Sequence, residues 1–277
     1  MQMKVSVIIP AMKGREAMLA KLLSTIPDKY EKIVVDDENL LLVAKRNKGA
    51  RQEKGEYLLF IDDDNYLEEE PKPIENALEI IEQSGIGVVG FIACYSDKPW
   101  IIADGGSMRN YLTGFTSGVN TNASWPKLDK TPYEVDEVAN AFMIRRELFE
   151  ETGGFDEVNF PMDMSESDIC LRIKKMGYRI VMNPRAICYH KSQTYSCFPN
   201  FRKEMYAYFH GNGRICFARK HYHGLCYWGH ISIFLPLFLC FYTASLLWRK
   251  NFKVIIPFLE GVFDGLRGRR TNKYQPR

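Results

Sequence analysis

Three consecutive carboxylates stand directly after an apolar run in the first quarter of the chain. The run is Tyr57–Ile61, and the carboxylates are Asp62, Asp63 and Asp64. In an extended segment alternate side chains share a face, so we expect Asp62 and Asp64 to point together and Asp63 to point away. Two carboxylates on one face suit Mg²⁺ or Mn²⁺, which bind a few protein oxygens together with substrate phosphates. Such a metal ion would neutralise the charge that builds on a leaving diphosphate.

A solvated acidic turn is the alternative interpretation of the triplet, because aspartate is common where a strand gives way to a turn. Three adjacent carboxylates repel one another, however, and a bound cation relieves that repulsion. Both interpretations stay open on the triplet alone, so its place among the neighbouring elements becomes the deciding observation.

Strand and helix patterns alternate before and after the triplet. Apolar, β-branched runs predict four buried strands, over Lys4–Ile9, Lys32–Val35, Tyr57–Ile61 and Gly87–Ala93. Helical periodicity fills the gaps, over residues 15–26, 40–54 and 74–83. The alternation predicts an α/β fold with a mainly parallel sheet covered by helices. Ligands of such sheets bind beyond the carboxyl ends of the strands, where the triplet and Asp36-Asp37 both fall.

The next hundred residues are less regular. Residues 95–134 are rich in Gly, Asn and Thr, which predicts short strands and loops that can contact a substrate. Further elements are predicted over Val135–Arg145 (strand), 146–152 and 166–176 (helices), and Arg179–Met182 and Ala186–Tyr189 (strands). Candidate contacts to the acceptor in this region are Trp125, Asp136 and Asn140. Trp125 is a candidate because aromatic rings stack on sugar faces.

Six segments, in order along the chain, carry a family resemblance. They are VSVIIP, VVDD, AKRNKGARQEKGEYLLFIDDDN, NAFMIRRELFEETGGFDEVNF, ESDICLRIKKMGYRI and AICYH. Together they resemble the family 2 glycosyltransferases with the GT-A fold. The resemblance implies a Rossmann-like, mainly parallel sheet flanked by helices, with a nucleotide-sugar-binding half in residues 1–94 and an acceptor half in 95–200. It also implies inverting transfer of a sugar from a nucleoside diphosphate donor, with Mn²⁺ or Mg²⁺ as cofactor.

The resemblance also assigns donor-side roles to individual residues. It implies that Asp36 binds the nucleobase, that Arg46 lies near the base or diphosphate, and that Asp64 is the direct metal ligand. Asp62 would face the ribose or a water on the metal, and His190 would contact the metal or diphosphate. Three neighbours complete the predicted donor site: Pro10, Asp37 and Asp63. A UDP or dTDP sugar is favoured over a guanine nucleotide.

Inverting transfer needs a carboxylate that takes the proton of the acceptor hydroxyl while its oxygen attacks the sugar. Alignment on Arg172 puts Glu166 where the family has its catalytic Asp, and Asp168 on the next acidic position. We predict Glu166 as the base, with Asp168 and then Asp163 as alternatives. Structural roles remain open for both leading candidates. Ser165-x-x-Asp168 has capping-box spacing, and an acidic residue in a first helical turn is stabilised by the helix dipole.

The last part of the chain has a different composition. Residues 200–277 carry 13 Lys and Arg against 3 Asp and Glu, although the whole chain has a net charge of only +3. Trp228–Trp248 is 21 residues long without a charged side chain, and basic residues flank both of its ends. That length nominally spans a bilayer, while the two basic flanks favour an in-plane hairpin with Val254–Phe263. We predict a membrane-associating helical tail over 201–277, with a buried hairpin or a homodimer contact as alternatives.

Composition also excludes several classes of protein. The seven cysteines form no CxxC pair, which argues against a zinc site or a disulfide framework and favours a reducing, cytosolic setting. Nucleic-acid binding is disfavoured, because the basic residues lie in an apolar tail. We therefore expect a glycosyltransferase at the cytoplasmic face of the membrane, acting on a glycan or lipid-linked acceptor. A polyprenyl-phosphate sugar synthase and a non-catalytic sugar-nucleotide-binding scaffold are the alternatives.

Overall fold

The computed structural model describes residues 4–52, 54–68, 72–111, 113–191, 200–270 and 272–274. Its contacts divide the chain into two compact units, which are described separately. The first comprises residues 1–108, 117–155 and 166–192. The second comprises 109–116, 156–165 and 193–277, so it contains the predicted tail together with parts of the predicted acceptor half.

Strands and helices alternate at the start of the chain as predicted. Their bounds are β1 Val5–Pro10, α1 Glu16–Thr25, β2 Glu31–Val35, α2 Leu42–Ala50, β3 Tyr57–Ile61, β4 Asn65–Tyr66, α3 Pro73–Ile81 and β5 Ile86–Tyr95. Shorter elements follow: β6 Lys98–Asp104, β7 Ser107–Arg109, β8 Thr116–Gly118, a 3₁₀ turn Trp125–Lys127, β9 Tyr133–Val135, β10 Ala141–Arg145, α4 Arg146–Glu151, α5 Ser165–Lys175 and β11 Arg179–His190.

The main sheet has the strand order β2-β1-β3-β10-β5-β11-β4, with β6 beside β5 and β9 beside β11. β1 is parallel to β2 and to β3, and β5 is parallel to β11. β10 lies antiparallel between β3 and β5, so the strands β2, β1, β3, β5 and β11 all run the same way. The predicted mainly parallel α/β sheet is therefore confirmed.

Two predicted strand boundaries are wrong. The run Val135–Arg145 is not one strand: Val135 ends β9, β10 begins only at Ala141, and the two strands pair with different partners. Asn140, between them, has a φ of +61°, a left-handed conformation that asparagine tolerates better than most residues and that breaks an extended run. Conversely, the two segments predicted over 179–189 form one strand, β11, with a register shift between Asn183 and Ile187.

The sheet is buried on both faces, which explains its continuous apolar runs. Along β1, Val5, Val7 and Ile9 face one hydrophobic cluster, while Ile8 faces the other. Burying each such side chain stabilises the fold by about 1.5–3 kcal/mol. The sheet thus forms a rigid platform whose parallel strands end along one edge.

The second unit is helical. Its elements are α6 Asn200–His221, α7 Gly224–Gly229, a π-helical turn His230–Phe234, α8 Leu235–Trp248, a 3₁₀ turn Phe252–Val254, α9 Ile255–Arg267 and a 3₁₀ turn Asn272–Tyr274. α6 and α9 pack very closely, since a Cβ added at Gly261 would lie 2.0 Å from the Tyr208 carbonyl oxygen. In the part of the chain that is described, one helix, Gly224–Trp248, is long and apolar enough to cross a membrane.

Candidate functional site

The carboxyl edge of the sheet gathers most of the predicted donor-site residues. Pro10 ends β1, Asp36 and Asp37 follow β2, the aspartate triplet follows β3, and His190 ends β11. β10 runs in the opposite direction and begins at this edge. The Asp62 N–H donates to the carbonyl of Asn140 there, at 3.2 Å.

The triplet itself is a turn and not an extended segment. The N–H of Asn65 donates to the carbonyl of Asp62, at 3.0 Å, so the chain reverses immediately after β3. The expected alternation, with Asp62 and Asp64 on one face, is therefore wrong. Asp62 pairs with Arg46, whereas Asp63 and Asp64 share the guanidinium of Arg15, at 2.8 and 2.9 Å.

Asp63 stabilises the loop after β1 by hydrogen bonds to Met12 and Arg15. Its carboxylate is 1% exposed and accepts the Met12 N–H at 2.6 Å as well as the Arg15 guanidinium. Burial raises the pKa of Asp63 to about 6, although Arg15 and the Met12 N–H work in the opposite direction. These contacts are all with the protein chain, so they favour a supporting role over the predicted contact with the donor.

Arg46 joins the triplet to the candidate base. One of its nitrogens donates to Asp62 at 2.8 Å and another donates to Glu166 at 2.5 Å. The arginine is 1% exposed, and its guanidinium carbon lies 5.8 Å from the ring centroid of Phe155. Arg46 was predicted to lie beside the base or diphosphate; in the structure its guanidinium bridges two carboxylates that are 104 positions apart in the sequence.

Asp64 and His190 lie together as possible metal ligands. The His190 Nε2 is 3.6 Å from the nearer Asp64 carboxylate oxygen. Burial disfavours the charged Asp64, but His190 and Arg15 outweigh it and lower the pKa of this carboxyl. Burial also disfavours the charged imidazole, yet Asp64 raises the pKa of His190 above its ordinary value. Each of the two groups therefore favours the charged form of the other.

A complete protein cage for a metal is absent from the described residues, since no three His, Cys, Asp or Glu side chains form a metal-binding group there. Asp62, the third predicted ligand, is turned towards Arg46. The remaining pair still fits Mn²⁺ or Mg²⁺, because these ions bind one or two protein ligands and complete their shell with phosphates and water. Burial raises the pKa of both Asp62 and Asp63, and the neighbouring Asp64 carboxylate acts in the same direction.

Asp104, which ends β6, was not among the predicted site residues. This carboxyl accepts the Asn140 side-chain amide at 3.1 Å and the Gly106 N–H at 2.9 Å. Burial raises the pKa of Asp104, and the charges of His190 and Glu166 also act on it, so it belongs to the same cluster. Asp104-Gly105-Gly106, a turn signal directly after a strand, could have indicated it. No local pattern marked Arg15.

The other predicted residues have mixed surroundings. Asp36 is exposed, and Asp37 pairs with Lys48 at 2.9 Å. The Trp125 indole donates to the Pro184 carbonyl at 3.0 Å beneath Lys130, and Asp136 pairs with Lys174. In the second unit, the alternative base Asp163 accepts a hydrogen bond from the Met164 N–H and lies 2.6 Å from His210 Nδ1.

Asp168 has the surroundings of a structural residue. Its fully buried carboxylate is bound in two places by Arg172, at 2.7 and 2.9 Å. Arg172 also donates to the carbonyls of Thr152 and Gly154, and these hydrogen bonds hold the turn after α4 against α5. These contacts favour a structural role for Asp168 and leave Glu166, two residues earlier in the same turn, as the candidate base.

Known proteins resemble this chain over most of its length. The family model described as "Glycosyltransferase like family 2" matches residues 5–214. A curated relative, the uncharacterized protein y4gI of Sinorhizobium fredii (strain NBRC 101917 / NGR234), is 24% identical over 167 residues. That match covers 59% of this chain but only 18% of the relative, so the chain spans less than a fifth of the relative's length.

Three solved structures illustrate the similarity of the fold. GalNAc-T7 with UDP, GalNAc and Mn²⁺ has a TM-score of 0.58 at 14% identity, covering 86% of this chain and 57% of the other. The mannosyltransferase PcManGT from Pyrobaculum calidifontis, with GDP-Man and Mn²⁺, has 0.56 at 14%, covering 96% and 88%. S. aureus TarS has 0.52 at 16%, covering 86% and 44%. At these identities the likeness concerns the fold, and it confirms the predicted GT-A type.

Proposed function

Because this chain belongs to glycosyltransferase-like family 2, we propose that it is an inverting, metal-dependent glycosyltransferase. It moves a sugar from a nucleoside diphosphate donor to a hydroxyl group of a lipid-linked or cell-surface glycan. The observation that carries the proposal is the arrangement at the carboxyl edge of the sheet. The Asp64–His190 pair lies there together with a buried arginine that joins Asp62 to Glu166.

The donor lies along this edge, with its base towards Pro10 and Asp36 and its diphosphate towards the triplet. Asp64 and His190 hold Mn²⁺ or Mg²⁺, which when bound neutralises charge on the leaving diphosphate. Asp62 lies beside them and is kept in place by Arg46. Asp63 and Arg15 hold the loop after β1 against the triplet, so the site is organised before the donor arrives.

Glu166 completes the reaction as the base. Its carboxylate takes the proton of the acceptor hydroxyl while the acceptor oxygen bonds to the anomeric carbon and the bond from that carbon to the diphosphate breaks. Arg46 fixes the position of Glu166 by a short ion pair. The buried guanidinium of Arg46 thus fixes the position of the base, Glu166, relative to Asp62 on the donor side of the site.

Donor binding is the first test of this function. We expect UDP or dTDP sugars to raise the melting temperature of the full chain in Mn²⁺ and to have no effect in EDTA. A ligand at about 100 times its Kd stabilises a protein by about 2.7 kcal/mol, or roughly 5–10 °C for a chain of this size. The matching sugar 1-phosphate is the control, since it lacks the nucleotide. Absence of a shift with every nucleotide sugar in Mn²⁺ contradicts the proposal.

We also propose that the enzyme works at the cytoplasmic face of the membrane. The most apolar stretch of the Gly224–Trp248 helix is only 11% buried, and Leu225, Phe241 and Trp248 are 91%, 78% and 84% exposed. Arg249, Lys250 and Lys253 follow the helix and complement an anionic lipid surface. Water is a poor solvent for such a face, so a bilayer is its favoured environment.

Membrane binding by the exposed apolar face of the Gly224–Trp248 helix is tested by placing a charge on that face. We expect Phe241→Asp to abolish most co-sedimentation of the protein with vesicles of phosphatidylcholine and phosphatidylglycerol. Placing Asp in the centre of an inserted helix costs roughly 2.5–3.5 kcal/mol, which lowers partitioning on the order of 100-fold. The control is Val158→Asp, because Val158 is 70% exposed in the same unit but lies outside the helix. Equal binding by both variants would instead assign the face to a protein contact, such as a homodimer.

A further inference from the structure

The Gly224–Trp248 helix lies side by side with α6 and runs in the opposite direction. Three contacts join the two: Tyr222, directly after α6, to His230, Arg214 to Phe238, and His210 to Tyr242. The two ring pairs have centroids 5.2 Å apart, and the guanidinium carbon lies 4.2 Å from the ring centroid of Phe238. Each step back along α6 is matched by an equal step forward along the other helix. The apolar helix is therefore a member of a helical bundle and not an isolated segment.

The middle of this helix lies against charged side chains. Phe238 is the central residue of the uncharged stretch Trp228–Trp248, and Arg214 contacts it. About one turn along α6, the His210 Nδ1 lies 2.6 Å from the Asp163 carboxylate. If the helix crossed a bilayer, Arg214 and Asp163 would be carried to the depth of the hydrocarbon core. Charged groups at that depth are costly, so a crossing in this packing is strongly disfavoured.

α9 ties the far end of the helix back to α6. In the chain α6 precedes the Gly224–Trp248 helix and α9 follows it, yet α6 and α9 are hydrogen-bonded to each other. The Asn212 side-chain amide donates to the Gly261 carbonyl at 3.2 Å, and the Tyr208 hydroxyl donates to the Asp264 carboxylate at 2.9 Å. A single crossing by the helix between them would place α6 and α9 on opposite sides of the membrane, which these bonds exclude.

Both apolar segments nevertheless leave a stripe of side chains exposed. Leu237, Phe241 and Trp248 have the spacing of one helical face, and Ile256 and Phe263 lie two turns apart on α9. All five side chains are more than half exposed. The opposite faces of the two helices are buried in the hydrophobic cluster of the second unit. Exposed apolar stripes of this kind mark a contact with a membrane or with a protein.

The turn between the two stripes is basic. Arg249, Lys250 and Lys253 are all exposed there, and residues 249–254 contain no acidic residue. A cluster of cations between two apolar stripes complements a surface that has anionic headgroups above hydrocarbon. The charge of this turn therefore favours a lipid surface over an apolar protein partner.

We propose that the two stripes bind an anionic lipid surface as one in-plane unit, and that no helix in the described part of the chain crosses the bilayer. Both helices lie along the membrane surface, with their stripes at the boundary between headgroups and acyl chains of one leaflet. The basic turn lies at the headgroups, on the same side as the catalytic body. This inference rests on the proposed membrane association, to which it adds α9 as a second contact and the side on which each helix end lies.

The contribution of α9 is tested with Ile256→Asp. We expect this variant to bind vesicles of phosphatidylcholine and phosphatidylglycerol at least about tenfold more weakly than wild type, because the α9 stripe can no longer enter the leaflet. Its melting temperature should not fall, since Ile256 is exposed and an acidic residue in the first turn of a helix is favourable. Val158→Asp, at a similarly exposed position of the same unit, is the control and should bind like wild type. Wild-type binding by Ile256→Asp overturns the assignment of α9.

The in-plane arrangement is tested with Arg249→Cys in membranes of a bacterial expression host. A membrane-impermeant polyethylene glycol maleimide adds one gel-shift step for each cysteine it reaches, and the wild-type pattern gives the background of native cysteines. Asp28→Cys, an exposed position of the first unit, reports the side of the catalytic body. We expect both variants to gain one step in inverted vesicles and none in spheroplasts. A step gained by Arg249→Cys only on the side where Asp28→Cys gains none, or on neither side, overturns the in-plane arrangement.

The choice of an anionic surface is tested with vesicles of phosphatidylcholine alone. These should bind wild type at least about tenfold more weakly than the mixed vesicles, because the basic turn loses its anionic partners, and equal binding overturns the role of the turn. If wild type binds neither kind of vesicle, the membrane association in the proposed function fails as well. Loss of a dimer in gel filtration of Ile256→Asp would then assign the stripes to a second copy of the chain. Donor binding in Mn²⁺ is measured separately, so the proposed transfer reaction can stand when the in-plane arrangement fails.

Discussion

Asp64→Asn is expected to remove the stabilisation by nucleotide sugars in Mn²⁺ and to lower kcat/KM at least about 1,000-fold. Asparagine keeps the size and one oxygen of the side chain but loses the charge that holds a divalent cation. It also weakens the contact to His190, whose Nε2 lies 3.6 Å from the carboxylate. One substitution would therefore affect both members of the Asp64–His190 pair. Mn²⁺-dependent release of the nucleoside diphosphate measures the loss.

Asp28→Asn is the matched control for this prediction, because the Asp28 side chain is fully exposed and pairs only with Lys32 on the surface. It should bind the donor and turn over like wild type. Metal-dependent donor binding that survives Asp64→Asn would show that the cation is held elsewhere, for example by Asp62 and Asp104. The assignment of Asp64 and His190 would then be wrong, although the proposed transfer reaction would stand.

The position of the triplet could be predicted from sequence, because it depends on local patterns. A continuous apolar run followed by carboxylates indicates the end of a buried strand, and parallel strands place such ends on one edge. His190 was assigned through the family resemblance, whereas Asp36 and the triplet were assigned to one edge on the basis of these patterns, and the structure has them at that edge. Hydrophobic periodicity was enough for this part of the site.

The side-chain partners within the site could not be predicted in the same way. Arg15 contacts Asp63 across 48 positions, and Arg46 contacts Glu166 across 120 positions. A long, flexible arginine side chain has no sequence signature for the carboxylate that it finally meets. The turn at Asp62 was not predicted for the same reason, because the Asp62 N–H donates to the carbonyl of Asn140, which is distant in sequence and lies just before β10. Residue types are enough to predict that carboxylates lie at this edge, but which arginine pairs with which carboxylate depends on the fold.

The Arg46 bridge changes how the base should be understood. Glu166 stands in the first turn of α5, where helix-dipole stabilisation alone could explain an acidic residue. Glu166 also forms an ion pair with Arg46, which in turn pairs with Asp62, and this specific contact ties Glu166 to the donor side of the site. Asp168 has its own partner in Arg172. The two acidic residues are therefore separated by their contacts: Glu166 faces the triplet, and Asp168 secures the fold.

Glu166→Gln is expected to lower kcat by about 100- to 10,000-fold while the donor still binds with its wild-type affinity in Mn²⁺. Glutamine retains an oxygen for the hydrogen bond from Arg46, so the geometry at Asp62 should survive, but it cannot take the proton of the acceptor hydroxyl. Release of nucleoside diphosphate measures turnover, and calorimetry measures donor affinity. Exposed Glu151→Gln is the control and should leave both quantities unchanged.

The outcome of Glu166→Gln also separates the alternative functions. A lipid phosphate acceptor is already ionised and needs no strong base, so nearly full turnover by this variant would favour a polyprenyl-phosphate sugar synthase. Tight donor binding without turnover in wild type would instead favour a non-catalytic scaffold. Asp168→Asn completes the comparison, since it removes a buried partner of Arg172 and should lower the melting temperature more than the turnover of the protein that remains folded. A large loss of turnover in Asp168→Asn, with Glu166→Gln unaffected, would transfer the role of base from Glu166 to Asp168.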